Sequence, residues 1–200
     1  NVIDLKEFDQ HSNLKKEIID KNNEDIIVVC VANLLKVKRL ERFIYAIAKV
    51  KKENNRIKGL IIGEGPERSF LEQILNDLNL GTDSLILLGK KTNIPDILSQ
   101  SNILILTSEN EGFPNAIMEG MSAKLPVIST PAGDAKYLVQ NGKTGFLVEK
   151  ENTTKMAETI IKLANDLDLR ERFGEAGRIV IEENYSYKDL SINLIKLYTK

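Results

Sequence analysis

Residues 108–119 read Ser-Glu-Asn-Glu-Gly-Phe-Pro-Asn-Ala-Ile-Met-Glu and place two carboxylates, Glu111 and Glu119, eight residues apart. Gly112 lets the backbone come close to a ligand, and the amides after it are free donors where a helix begins near Pro114. Eight residues is a little over two helical turns, so Glu119 cannot meet the same atom as Glu111. Carboxylates that far apart suit two different hydroxyl-bearing parts of one long ligand, such as the sugar and the ribose of a sugar nucleotide. The plainer alternative is that Glu111 meets the positive end of a helix dipole and Glu119 is an ordinary surface residue.

Such residues need elements that bring loops together, and the hydrophobic pattern supplies them. Ile26-Ile27-Val28-Val29-Cys30-Val31 is a short β-branched run, as expected of a strand buried on both faces. Leu40, Phe43, Ile44, Ile47 and Ala48 then fall at helical spacing. A second burst over 57–62 ends at Gly63-Glu64-Gly65-Pro66, where Pro66 suits a first helical position, and a second apolar stripe from Phe70 to Leu78 closes at Gly81. Four more short runs follow, over 85–88, 103–106, 126–129 and 145–148, with helices predicted at about 95–100 and 114–123. From 153 onward the pattern is helical with breaks near Asp168 and Tyr185, leaving a C-terminal helix over 185–200. Residues 1–24 are polar, lack a strong period and read as a lead-in segment. Strands alternating with helices predict an α/β fold: one domain over 1–200 with a doubly wound, parallel six-stranded sheet. In such sheets ligands sit at the carboxyl ends of the strands, which points to the loops at 33–38, 63–66, 89–93, 108–115 and 130–134.

Composition excludes several classes of function. Lys plus Arg number 28 against 29 Asp plus Glu, a net charge of −1, which argues against a dedicated nucleic-acid binder. At 42% hydrophobic the chain is too apolar for a disordered segment. One Cys and one His exclude an internal disulfide and Cys- or His-pair metal motifs, so no metal is expected. The longest apolar run, over 26–32, is far short of the roughly 20 residues that cross a bilayer. The expectation is a soluble chain of a reducing, cytoplasmic compartment.

The longer string Glu111-Gly-Phe-Pro-Asn-Ala-Ile-Met-Glu119, followed by Gly-Met-Ser-Ala-Lys-Leu-Pro-Val-Ile-Ser-Thr, resembles the signature of the retaining glycosyltransferases with the two-domain GT-B fold, the "glycosyl transferases group 1" family. That signature is Glu, seven residues, Glu, then a small-residue helix and a Pro-Val strand. The resemblance continues in Val31-Ala-Asn-Leu34 with Lys38, in Ile61-Ile-Gly-Glu-Gly-Pro-Glu67, in Leu87-Leu-Gly89 and in Asn141-Gly-Lys-Thr-Gly-Phe-Leu-Val148. It implies one complete C-terminal, donor-binding half over about 1–187, with the segment after an inter-domain hinge at its start and the acceptor-binding N-terminal domain outside this chain. It also implies a nucleoside-diphosphate sugar (a UDP-, GDP- or ADP-sugar), a glycan or glycolipid acceptor, and no bound metal. The setting implied is polysaccharide or cell-envelope synthesis at the inner face of a membrane, with peripheral contact through the absent domain. Residue by residue, Lys38 matches the basic residue on the donor diphosphate and Glu111 the acid on the transferred sugar. The amides of Gly112, Phe113 and Asn115, beside Pro114, face sugar or phosphate. Glu119 matches the acid on the ribose hydroxyls, and the loop from Gly89 and Lys90 to Asn93 holds the base through backbone groups.

Two departures stand out. Asn33 occupies the place of an Arg that the family often has, with Lys36 as a substitute cation, and Tyr137 stands where a Glu is usual after Gly133. Rival readings are a non-catalytic or degenerate sugar-nucleotide-binding module and a GT-B sugar-nucleotide epimerase. Gly63-Glu64-Gly65 lacks the third glycine of a dinucleotide-binding fingerprint and follows the second strand instead of the first. Asp166-Leu167-Asp168 imitates a metal motif, but Asp168 reads better as a helix N-cap. His11 is expected at the surface, and Cys30 as a buried, inert thiol.

Overall fold

In a computed structural model, residues 2–12, 22 and 24–186 are described. Six strands among them, β1 (Ile26–Val31), β2 (Ile57–Ile62), β3 (Leu85–Gly89), β4 (Ile103–Leu106), β5 (Val127–Ser129) and β6 (Gly145–Leu147), form one sheet in the order β3-β2-β1-β4-β5-β6. Every pairing is parallel, with Ile26 opposite Ile57 on one side of β1 and Val28 opposite Ile103 on the other. The helices are α1 (Leu5–Ser12), α2 (Glu41–Val50), α3 (Arg68–Asp77), α4 (Ile94–Ser99), α5 (Asn115–Ser122), α6 (Ala135–Leu138), α7 (Thr153–Asn165) and α8 (Leu167–Asn184).

The alternation of β1 divides the core. Val28 and Cys30 pack with Phe43 and Ile47 of α2, Leu71 of α3 and Met156 and Ile160 of α7. Ile27 and Val29 pack with Ile97 of α4, Ile117 and Met121 of α5 and Leu138 of α6. A fully buried Ile, Leu or Phe contributes about 1.5–3 kcal/mol, so a strand sealed on both faces requires both helical layers. Burial also pushes the Cys30 thiol up to about 12, as an inert core residue should behave. α8 bridges the layers, with Phe173 in one and Ile181 in the other.

This strand order fixes where a ligand can sit. After β1 the chain winds outward through β2 to β3; after β4 it winds the opposite way through β5 to β6. From the middle of the sheet the chain therefore leaves β1 and β4 toward opposite edges, and a crevice forms at their carboxyl ends. α5 lies tight on β4, since a Cβ at Gly120 would come 2.5 Å from Cδ2 of Leu104. That contact holds the start of α5 at the crevice.

Several local expectations are corrected. The lead-in contains helix α1, started by Asp4, whose Oδ1 accepts from the amides of Lys6 and Glu7, and anchored by buried Phe8. α3 begins at Arg68 instead of Pro66, because Gly65 and Glu67 are pinned against Leu34: the Glu67 amide donates to its carbonyl. Asn79, with φ of 51°, turns the chain after α3 where Gly81 was expected to close it. Asp166, not Asp168, caps α8 by accepting from the Leu169 amide, which leaves Asp168 in the first turn. Gly63 serves the packing of two loops: with φ of 148°, a Cβ there would meet the Ala32 carbonyl at 1.9 Å. Tyr185 and Ser186 are not helical, and the helix expected beyond them, with the side chain of His11, lies outside the described residues. Among the described residues no helix is long and apolar enough to cross a membrane.

Candidate functional site

The two loops at the centre of the sheet are joined by their backbones before any side chain meets. After β1 a 3-10 turn covers Lys36–Lys38, and Arg39 takes a left-handed φ of 48°. The Glu109 amide donates to the Val37 carbonyl at 2.8 Å, and the Thr107 hydroxyl donates to the Lys38 carbonyl at 2.9 Å. With the backbones fixed, Lys38 Nζ donates to Glu111 Oε1 at 2.7 Å. The Ser108 hydroxyl donates to the same oxygen at 2.5 Å. Among the described residues nothing donates to Oε2 of Glu111, which leaves it able to accept from a substrate hydroxyl.

A third loop, after β5, supports this arrangement from outside. The Thr130 hydroxyl donates to the Ser108 carbonyl at 2.7 Å, and the Asp134 amide to the Gly112 carbonyl at 3.3 Å. Gly133 makes the approach feasible: its φ is 53°, and a Cβ would stand 1.7 Å from the Glu111 carbonyl oxygen. Gly133 and Asp134 are thus a backbone buttress under Glu111, while Tyr137, 68% exposed, lies on the solvent side of α6.

Lys38 and Glu111 open onto a cavity of about 370 Å³. Its walls include Asn33, Lys90, Phe113, Pro114, Asn115 and Glu119, so eight of the ten expected site residues share one crevice. Gly89 and Gly112 are not in its walls; Gly89 ends β3 with φ of 76°, and Gly112 sits exposed beside Glu111. Pro114 precedes the first residue of α5, so that helix presents its N-terminus to the cavity, a favourable place for negative charge. Phe113 is steadied by Tyr185, ring centroids 5.7 Å apart.

Glu119 projects from the second turn of α5. Burial pushes its carboxyl above the ordinary value, and no described residue hydrogen-bonds to it. It also lines a second cavity of about 360 Å³, bounded by Phe8 of α1, by Thr92 and Asn93 of the loop after β3 and by Pro95 in the first turn of α4. The acid therefore stands between the crevice and the loop expected to hold a base.

Four residues around the crevice were not singled out by sequence as site residues, although three of them lie in loops it pointed to. Lys91 lines the cavity beside Lys90, and neither lysine forms an ion pair among the described residues. The adjacent lysines in the sequence were the signal that cations gather on this loop; Lys36, expected as a substitute cation, is exposed and outside the cavity walls. Ser108 and Thr107, which fix Glu111 and Lys38, are hydroxyl residues at a strand end with no distinctive pattern. Gly133 becomes legible only once its neighbour across the loop is known.

A doubly wound sheet of this order, with acids and lysines gathered at its switch point, defines a Rossmann-like domain of the kind found in GT-B glycosyltransferases. The chain belongs to the family "Glycosyl transferases group 1", whose model matches residues 12–180. It is 34% identical over 172 residues to N-acetyl-alpha-D-glucosaminyl L-malate synthase of Bacillus anthracis, covering 86% of this chain and 44% of that protein. It is 30% identical over 176 residues to poly(ribitol-phosphate) alpha-N-acetylglucosaminyltransferase of Staphylococcus aureus, covering 86% of this chain and 35% of the relative. The chain thus spans about half or less of the length of these relatives. Among solved structures, S. aureus TarM in complex with Fondaparinux, alpha-GlcNAc-glycerol and UDP superposes with a TM-score of 0.81 at 26% identity, over 92% of this chain and 38% of that one. A glycosyltransferase from Rickettsia africae shares the fold, with a TM-score of 0.88 at 24% identity over 99% of this chain and 55% of that one.

Proposed function

We propose that this chain is the donor-binding half of a retaining GT-B glycosyltransferase, which takes a nucleoside-diphosphate sugar and transfers the sugar to an acceptor hydroxyl. The observation that carries the reading is the convergence of Lys38, Glu111 and Glu119 on one crevice at the switch point of the sheet. Relatives named as a capsular polysaccharide biosynthesis glycosyltransferase and a poly(ribitol-phosphate) alpha-N-acetylglucosaminyltransferase, both of S. aureus, support a role in polysaccharide or cell-envelope glycoconjugate synthesis.

In this reading the diphosphate lies between Lys38 and the start of α5, with Lys90 and Lys91 as side-chain cations in place of a metal. Glu111 Oε2 accepts from hydroxyls of the transferred sugar. Glu119 accepts from the ribose, and the base reaches toward residues 89–93. Transfer breaks the bond from the anomeric carbon to the diphosphate oxygen, whose electron pair stays on the nucleotide. The acceptor oxygen bonds the same carbon and passes its proton to the departing diphosphate. Lys38 and the helix N-terminus stabilise the charge that builds on the leaving diphosphate, and the crevice aligns the reacting atoms. A second domain supplies the acceptor site, so the isolated chain binds donor and transfers nothing.

The test is a thermal-shift series with UDP, GDP, ADP and their sugar conjugates, followed by transfer assays on the full-length protein. A melting temperature raised by one nucleotide family, and product whose anomeric configuration by NMR matches the donor, are expected. Binding without transfer or hydrolysis marks a sugar-nucleotide module, an epimerised donor marks an epimerase, and no shift with any nucleotide overturns the reading. Unchanged transfer in EDTA is the expected sign of metal-free donor binding.

A further inference from the structure

Arg42, on α2 four residues beyond Lys38, is 2% exposed and among the largest fully buried side chains. Its Nη1 donates to the Thr107 carbonyl at 3.1 Å, and its Nη2 donates to Glu109 Oε2 at 2.6 Å and to Glu151. Nε is buried with no hydrogen-bond partner among the described residues. Burying a guanidinium is expensive, and its two carboxylate partners, 42% and 78% exposed, offset that cost only through an attraction weakened by solvent. An orphaned donor adds to that penalty. The arrangement therefore calls for a reason other than stability.

The acceptors supply one. Thr107 and Glu109 bracket Ser108, whose hydroxyl donates to Glu111. Thr107 also holds the Lys38 carbonyl through its hydroxyl, and the Glu109 amide holds the Val37 carbonyl. Lys150 grips Glu109 from the far side at 2.9 Å. Both members of the Lys38–Glu111 pair thus hang on backbone that Arg42 fixes from beneath.

We propose that Arg42 is a positioning residue of this site, setting the Lys38–Glu111 geometry through Thr107 and Glu109; this rests on the donor-site reading above. A misplacement near 1 Å costs about 100-fold in rate. Arg42→Met, which keeps bulk without the forked donor, should lower kcat at least tenfold while the donor KM stays within about twofold. Arg42→Lys, keeping charge but not the fork, should recover only part of the loss.

The deciding experiment is a double-mutant cycle in the full-length protein, measured well below the melting temperature of every variant. If Arg42 acts through the pair, Arg42→Met combined with Lys38→Ala is no slower than Lys38→Ala alone. Additive losses, or an Arg42→Met kcat within twofold of the parent, overturn the proposal and leave the donor-site reading intact. If instead Lys38→Ala is fully active, or the parent transfers nothing, the donor-site reading fails. Amide hydrogen exchange then decides the role of Arg42 independently: Arg42→Met should speed exchange at both 36–39 and 107–111, and unchanged exchange there overturns it.

Discussion

Lys38 and Glu111 meet at 2.7 Å although 73 positions separate them in sequence, and both side chains are largely shielded, at 22% and 9% exposure. A pair so placed is not a screened surface contact. The lysine charge is held at the crevice before any donor arrives, which removes the need to order it during reaction. Lys38→Ala in the full-length protein should therefore lower kcat by roughly 100-fold or more, in the manner of removing an oxyanion-hole donor. Steady-state kinetics with saturating donor measure this, and a near-parental rate would take Lys38 out of the mechanism.

Glu119 sets function against stability. Unfolded, it ionises near 4.5, whereas burial raises its folded value. Between those two values the folded chain binds more protons than the unfolded chain, so this group's contribution to stability falls as pH rises through that window. Above it the buried carboxylate carries a constant penalty that Glu119→Gln removes. The variant should thus show a higher urea midpoint at neutral pH. It should also raise the donor KM about tenfold with little change in kcat, since ribose contacts are made equally in ground and transition states. Donor affinity of the parent should weaken as pH drops through the raised value. Lower kcat with unaltered KM would refute the ribose assignment.

The same contrast between local and distant causes explains what the sequence disclosed. The strands were legible because Ile26–Val31 and Ile103–Leu106 are unbroken apolar runs, which only a sheet covered on both faces accommodates. Helix α1 was not, because a polar segment reveals itself by little more than one buried anchor, Phe8, and an Asp4 cap. The acids of the site were legible because they share one loop and helix. Arg42 was not, because its acceptors at Thr107, Glu109 and Glu151 lie 65 to 109 positions away and α2 gives no local reason to bury a charge.

Gly133 tests the buttress beneath Glu111. A methyl group at this position meets a backbone carbonyl at 1.7 Å, with φ of 53° adding strain for any L side chain. Backbone cannot swing aside as a flexible side chain would. Gly133→Ala should destabilise the protein by about 2 kcal/mol or more, read as a lower urea midpoint at unchanged slope. Turnover should fall as well, because the displaced atom belongs to Glu111. Gly142→Ala, also at positive φ (78°) but with nothing within 4 Å of the added carbon, separates strain from collision and should cost less.

Charge at the crevice is asymmetric in a way that binding can measure. Asn33 contributes no cation, while Lys90 and Lys91 line the cavity without a carboxylate partner among the described residues. Both are solvent-exposed, so each acts on a diphosphate through a screened field worth about 1 kcal/mol, or about fivefold in affinity. Lys91→Ala should accordingly raise the Kd of the matching nucleoside diphosphate several-fold and flatten its dependence on salt, leaving the nucleoside alone unaffected. Asn33→Arg should do the reverse by adding a cation to the same cavity. Titration calorimetry at two ionic strengths distinguishes the outcomes: equal losses for nucleoside and diphosphate would assign Lys91 to the base instead of the phosphates.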